Sequence, residues 1–177
     1  MKRLEKGLIQ VYTGNGKGKS TAAFGLAVRA AGHGFKVYII QFMKTGNFYG
    51  EINTFKRLAP EVEVKSFGRP GFIYKESPRE EDYKLAREAL EYARQVMLAD
   101  DADIVILDEI NNALYFGLIS LEEVMELLKQ KPPQVELVLT GRNAPMEIIE
   151  MADLVTEMLE KKHPYRQGIP GRKGIEY

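Results

Sequence analysis

Two short stretches carry residue types at spacings suited to chemistry on a phosphorylated substrate. The first is Thr13-Gly14-Asn15-Gly16-Lys17-Gly18-Lys19-Ser20-Thr21. Closely spaced glycines let a backbone curl until several N–H groups point inward at an anion. The Lys-Ser pair that follows offers an ammonium for terminal phosphates and a hydroxyl for a divalent cation. Residues Gly14 to Thr21 are therefore the candidate phosphate-binding set, with Lys19 the charged clamp and Ser20 the metal-side hydroxyl. The second stretch is Asp108-Glu109, an acid pair after the apolar run Ile104-Val105-Ile106-Leu107. A carboxylate at that place can meet a Mg²⁺ held by the loop hydroxyl. The loop departs from the usual spacing of glycine, four residues, then Gly-Lys-Ser/Thr. Glycine arrives one residue late, at Gly14, with Thr13 in the usual glycine position, so the loop is a shortened or altered version.

The flanking elements are those that would position such groups. Leu8 to Tyr12 reads as a buried strand before the loop, and Thr21 to Ala31 as a helix after it, closed by Gly32. A helix in that place aims the positive end of its dipole at the bound anion. A second buried strand is expected at Lys36–Phe42, then a polar loop from Lys44 to Gly50, a short helix near Glu51–Leu58, and a strand at Val62–Ser66. Val62 and Val64 alternate with Glu63 and Lys65, as on a sheet edge with one wet face. The segment Phe67 to Glu76 reads as an irregular loop with three aromatic rings, Phe67, Phe72 and Tyr74, which either wall a ligand or fold onto the core. Ser77-Pro78-Arg79-Glu80 has the form of a capping box opening a long helix, with an apolar stripe at Tyr83, Ala86, Leu90, Ala93 and Met97. Ser120-Leu121-Glu122-Glu123 opens another helix in the same way, running to about Lys129. Strands at Val135–Leu139 and Leu154–Met158, separated by a helix at Pro145–Met151, complete the chain, and Thr140-Gly141-Arg142-Asn143 is a further candidate binding turn. Alternating strands and helices without an internal repeat predict a three-layer α/β sandwich on a mostly parallel sheet, with residues 1–177 forming one domain.

Composition narrows the function classes. Lys+Arg and Asp+Glu are equal at 25 each, which leaves no overall basic field to draw nucleic acid or an anionic membrane. No apolar run approaches the ~20 residues a membrane-spanning helix needs. The chain has no cysteine, hence no disulfide or thiolate chemistry, and a cytoplasmic location is the expectation. Its two histidines, His33 and His163, lie far apart and do not suggest a His-rich metal site.

Taken together, the chain resembles the P-loop type of ATP:corrinoid adenosyltransferase along nearly its whole length. The residues that carry the resemblance are Thr13 to Ala23, Gly32-His33-Gly34, Gln41-Phe42, Gly71-Phe72-Ile73-Tyr74, Leu107-Asp108-Glu109, Thr140-Gly141-Arg142 and Lys173-Gly174-Ile175-Glu176-Tyr177. The shortened loop is itself part of that family's pattern. The resemblance implies a P-loop NTPase architecture of the RecA-like type. It also implies transfer of the 5′-deoxyadenosyl group of ATP to the Co(I) of a corrinoid, cobalamin or a precursor, with triphosphate leaving. ATP would lie reversed along the loop, Lys19 and Glu109 would act in catalysis, and Ser20 and Glu109 would hold Mg²⁺ or Mn²⁺. Asp108 would be a co-ligand of that metal or support it from behind. Phe72 and Tyr74 would crowd the lower face of the corrin, Tyr74 standing where the family has Trp. About seven residues precede the first strand, so the extra N-terminal helix of some family members has no counterpart here. An electron-donating reductase and a homodimer are the implied partners. The alternatives from the residues alone are a phosphotransferase or ATPase, and a non-enzymatic nucleotide-binding module.

Overall fold

The computed structural model describes residues 4–46, 48–71 and 73–177. In chain order its elements are β1 (Ile9–Thr13), α1 (Lys19–Ala31), β2 (Val37–Phe42), α2 (Gly50–Lys56), β3 (Val62–Phe67) and α3 (Glu80–Leu98). There follow β4 (Ile104–Asp108), α4 (Ile110–Tyr115), α5 (Leu121–Lys129), β5 (Glu136–Thr140), α6 (Met146–Met151) and β6 (Leu154–Glu157), with a 3₁₀ turn at Pro164–Gln167. Among the described residues the strands form one sheet in the order β3-β2-β4-β5-β1-β6. Every pairing is parallel, a more uniform sheet than the mostly parallel one expected.

The inner strands β2, β4 and β5 are buried at every position, because helices cover both faces and leave no wet side on which polar residues could alternate. On one face Ala23, Phe24, Ala27 and Ala30 of α1 join Phe55 of α2 against Val37, Ile39, Ile104, Ile106 and Val138. On the other, α3, α4, α5 and α6 pack on Ile40, Val105, Leu107, Leu137 and Leu139. The alternation read from Val62 onward belongs to an edge strand, since β3 pairs with β2 alone and exposes Glu63 and Lys65. Burying ~150–250 Å² per aromatic ring, at roughly 25 cal/mol per Å², makes residues such as Phe42 and Phe55 strong contributors to these layers.

Two local expectations are corrected. The helix α3 begins at Glu80 after Arg79, not in a Ser77–Glu80 box: Asp82 reaches back to accept the Arg79 N–H at 2.8 Å. Asp82 prevails because its carboxylate is also clamped by Arg69, Nε to Oδ1 at 2.7 Å and Nη2 to Oδ2 at 3.1 Å. Helix α4, directly after the acid pair, was not anticipated. It is only one and a half turns long and shows no readable apolar period. The Ser120 box does form, with Glu123 N–H donating to Ser120 Oγ and Ser120 N–H to Glu123 Oε2.

Candidate active site

The sheet order determines which strand ends meet. Strand β5 lies between β1, which carries the glycine-rich loop, and β4, which carries the acids. Register aligns Tyr12 with Thr140 and Gln41 with Asp108, so the loop, Thr140, Asp108 and Gln41 gather at one carboxyl edge. Ligands of open α/β sheets bind at such edges.

The loop needs its glycines. Gly14 has φ +92°, and a Cβ there would stand 2.6 Å from the Met158 carbonyl oxygen. Gly18 has φ +121° and precedes α1, whose first turn carries no side-chain cap. Its N–H groups are left for an anion. Lys19 is nearly buried, and its ammonium donates to the Gly16 carbonyl at 2.7 Å, curled within the loop. Burial, followed by the neighbouring Arg142, lowers its pKa against the opposing pull of Glu109. The Lys17 ammonium turns away from the loop interior, to the Glu176 carboxylate at 2.8 Å and the Ile175 carbonyl at 3.1 Å.

Asp108 is fully buried at the centre of a polar network. Its Oδ1 accepts from Ser20 Oγ at 2.6 Å and Thr140 Oγ1 at 2.8 Å, and its Oδ2 accepts from Lys44 Nζ at 2.7 Å and Gln41 Nε2 at 3.2 Å. Burial alone would raise the Asp108 carboxyl, but Lys44, Ser20 and Thr140 outweigh it and hold the group below the ordinary aspartate value. Lys44 is likewise pulled down by burial and more than restored by Asp108 and Glu109, ending above its ordinary value. Glu109 sits in the left-handed region, φ 67°, a costly conformation for a glutamate. Its N–H donates to Thr140 Oγ1 at 3.0 Å, which anchors the turn. Its side chain accepts from Asn112, and one oxygen lies 3.9 Å from Lys44. Burial raises its pKa, Lys44 opposes, and the adjacent Asp108 adds to the rise.

An open cleft of about 680 Å³ runs from this cluster along α1. Lys17 to Thr21 and Glu109 line it, whereas Gly14, Asn15 and Gly16 are not among its walls and Asp108 is fully buried. Tyr74 is apart from it, 64% exposed on the loop after β3. That exposure removes Tyr74 from the core, while its neighbour Ile73 packs inward. Phe72 lies outside the described residues. Lys44 and the part played by Thr140 and Gln41 were missed. Lys44 looked like any lysine of a polar loop, and only strand order places it against the acids. His33 and His163 stay in turns, and no group of three acidic, His or Cys residues is poised for a metal among the described residues.

A shortened phosphate loop facing strand-end acids across one intervening strand, in a parallel three-layer sheet, defines a P-loop nucleotide-binding protein. Solved structures agree on the fold. The flagellar accessory protein FlaH of Methanocaldococcus jannaschii superposes with a TM-score of 0.59 at 15% identity, over 87% of this chain and 72% of that one. A KaiC-like protein of Pyrococcus horikoshii gives 0.60 at 17%, over 89% and 75%. Residues 5–177 match the family described as ATP:corrinoid adenosyltransferase BtuR/CobO/CobP. Corrinoid adenosyltransferases are 41% identical in Pseudomonas aeruginosa, over 99% of this chain and 86% of the relative, and 39% in Escherichia coli, over 98% and 87%. The chain belongs to the ATP:corrinoid adenosyltransferase family.

Proposed function

We propose that this chain transfers the 5′-deoxyadenosyl group of ATP to a Co(I) corrinoid in adenosylcobalamin biosynthesis, working as one domain over residues 1–177. The observation that carries the reading is the family match over residues 5–177, on a chain whose loop hydroxyl Ser20 meets Asp108 at 2.6 Å. In the reaction the cobalt electron pair attacks C5′, the C5′–O bond breaks, and its electrons leave on the triphosphate. Such a site must hold and neutralise a leaving group, not orient a β–γ bond, and a shortened loop suits that task.

In this scheme Lys19 swings from the Gly16 carbonyl to the triphosphate, joined by the free N–H groups of the first turn of α1. Lys44 adds a second cation at the same end of the cleft. Ser20, Asp108 and Glu109 are oxygen donors of the class a hard divalent ion takes, and Lys44 already marks the place between the acids as one for positive charge. Asp108 accepts four hydrogen bonds, so it fits best behind the metal, orienting Ser20, with Ser20 and Glu109 as ligands. Bound Mg²⁺ or Mn²⁺ supplies further charge neutralisation on the triphosphate. Phe72 and Tyr74 act on the corrinoid side, where bulk under the ring excludes an axial ligand and eases reduction to Co(I). The exposure of Tyr74 supports that role. A reductase supplies the electron, a homodimer encloses the corrinoid, and the protein works in the cytoplasm. Among the described residues no helix is long and apolar enough to cross a membrane.

The test supplies ATP with chemically reduced corrinoid and follows the light-sensitive cobalt–carbon absorbance alongside the phosphate products. Intact triphosphate, equal in amount to the alkylated corrinoid, is expected. Stoichiometric ADP without a cobalt–carbon product would overturn the reading in favour of an ordinary ATPase.

A further inference from the structure

The closing stretch Lys173-Gly174-Ile175-Glu176-Tyr177, distinctive in the sequence, has no part in the scheme above. In the structure it lies on the active-site cleft, with Gly174 to Tyr177 among its walls. It is a small closed turn: Glu176 accepts from the Arg172 N–H at 2.7 Å and from Arg172 Nη2 at 3.0 Å, and the Gly174 N–H donates to the Tyr177 carbonyl at 2.6 Å. The turn is tied down on both sides. Lys17 of the phosphate loop holds it through Glu176 and the Ile175 carbonyl. Across the cleft the Tyr177 ring stacks on Phe48, centroids 4.7 Å apart and planes 20° from parallel, and Phe48 meets Tyr49 edge-on.

The cleft beneath has two unlike ends. Lys19, Ser20, Lys44 and Glu109 make one end charged. The other follows one face of α1, through Phe24, Gly25 and Val28, about 13 Å along the helix from Lys19 to Val28. Val28 and Ile175 are large apolar side chains left 50% and 57% exposed there, and a Cβ on Gly25 would meet nothing within 4 Å, leaving a flat floor. A charged end leading into an apolar, aromatic-rimmed end is the complement of a nucleoside triphosphate. We propose that residues 172–177 form a strap over this cleft, tethered by Lys17–Glu176 and Tyr177–Phe48, in which Ile175 and Tyr177 seat the nucleoside end of ATP. This rests on the nucleotide reading of the cleft. It also reassigns Lys17, whose ammonium is committed to the strap and serves as an anchor, not as a phosphate ligand.

The experiment compares binding of ATP and of inorganic tripolyphosphate by calorimetry in the wild type, Tyr177→Ala, Tyr177→Phe, Glu176→Gln and Lys19→Ala. A seat for the nucleoside predicts that Tyr177→Ala raises the ATP Kd about tenfold, or about 1.4 kcal/mol, with tripolyphosphate binding unchanged. Tyr177→Phe should restore ATP binding, since the stack needs the ring and not the hydroxyl. Glu176→Gln should weaken ATP binding too and speed hydrogen exchange over residues 172–177. In turnover these changes should raise KM for ATP with kcat retained, the pattern of lost uniform binding. Unchanged ATP affinity in Tyr177→Ala, or equal weakening toward ATP and tripolyphosphate, overturns the strap as a nucleoside seat. The nucleotide reading stands in either case provided Lys19→Ala weakens both ligands. If the wild type binds neither, that reading falls and takes the strap with it.

Discussion

Lys44 is the residue on which the charge balance of the site turns. It faces two carboxylates with opposite tendencies, buried Asp108 held below its ordinary value by Lys44, Ser20 and Thr140, and partly buried Glu109 raised by desolvation and by Asp108 against the pull of Lys44. Removing one partner of a buried ion pair typically costs about 3–5 kcal/mol, because the remaining charge is left without compensation. Lys44→Ala is therefore expected to lower the melting temperature, and added Mg²⁺ should raise it more in the variant than in the wild type, the cation taking the ammonium's place. Equal responses to Mg²⁺ in the two proteins would show that the acids do not face a metal position. In the proposed scheme Lys19 clamps the leaving triphosphate and Glu109 holds the metal that neutralises it. Lys19→Ala and Glu109→Ala should each lower adenosyl transfer by about 10²–10³-fold or more, by analogy with removal of a single transition-state charge donor, while circular dichroism reports an intact fold. Near-wild-type rates in either folded variant would remove that residue from the clamp.

At the level of elements, an ion pair anchors the loop after β3. Arg69 leaves the strand end and clamps Asp82 in the first turn of α3, with the Asp82 side chain fully buried, and further along Lys75 sits 3.6 Å over the Tyr115 ring of α4. Burial pushes the Asp82 carboxyl up, but its hydrogen bonds from Arg69 and the Arg79 backbone bring it below its ordinary value. A depressed carboxyl contributes stability that is fully present above the unfolded aspartate value of ~3.9 and is lost as pH falls through the lower folded value. Denaturation midpoints should therefore favour the wild type over Asp82→Asn by a constant margin near neutral pH, a margin that shrinks below about pH 4. A margin that grows on acidification would contradict the assignment. Tyr74 rides on this anchored loop. Tyr74→Ala is expected to reduce the four-coordinate Co(II) signal in electron paramagnetic resonance and slow transfer from Co(II), leaving ATP affinity unchanged. Strongly reduced Co(I) should recover much of the rate, and Tyr74→Trp should keep or improve it. Weakened ATP binding with an unaltered cobalt spectrum would place the loop on the nucleotide instead.

For the whole molecule, the proposed scheme serves its two substrates from different parts of one carboxyl edge. The nucleotide cleft follows α1 and α2, whereas the aromatic loop leaves β3 toward α3 and α4 on the opposite face of the sheet. In that scheme the adenosyl carbon and the cobalt meet where those regions converge, and the corrinoid's outer face is covered from elsewhere. A second copy is the proposed cover. Light scattering of the purified protein is expected to give twice the 20.1 kDa mass of the chain, and a monomer mass at working concentrations would require the corrinoid to be enclosed by this chain alone.

Local chemistry made much of this legible from residue order. The glycine spacing from Gly14 to Gly18, the Lys19-Ser20 pair and the apolar run into Asp108-Glu109 act within a few residues of one another, so neighbouring sequence determined both the loop and the strand-end acids. Continuous apolar runs determined the inner strands for the same reason. What only the tertiary structure decided were contacts between distant strand ends. Gln41 and Thr140 bond to Asp108 across separations of 67 and 32 residues, and Lys44 does so across 64. No local pattern encodes them, because a parallel sheet places its neighbours by crossover and not by adjacency in the chain. Helix α3 began later than its Ser77 box suggested because a buried ion pair outweighed a local cap. Lys17, a candidate phosphate ligand by its place in the loop, pairs with Glu176 only because folding brings residue 176 back to the loop.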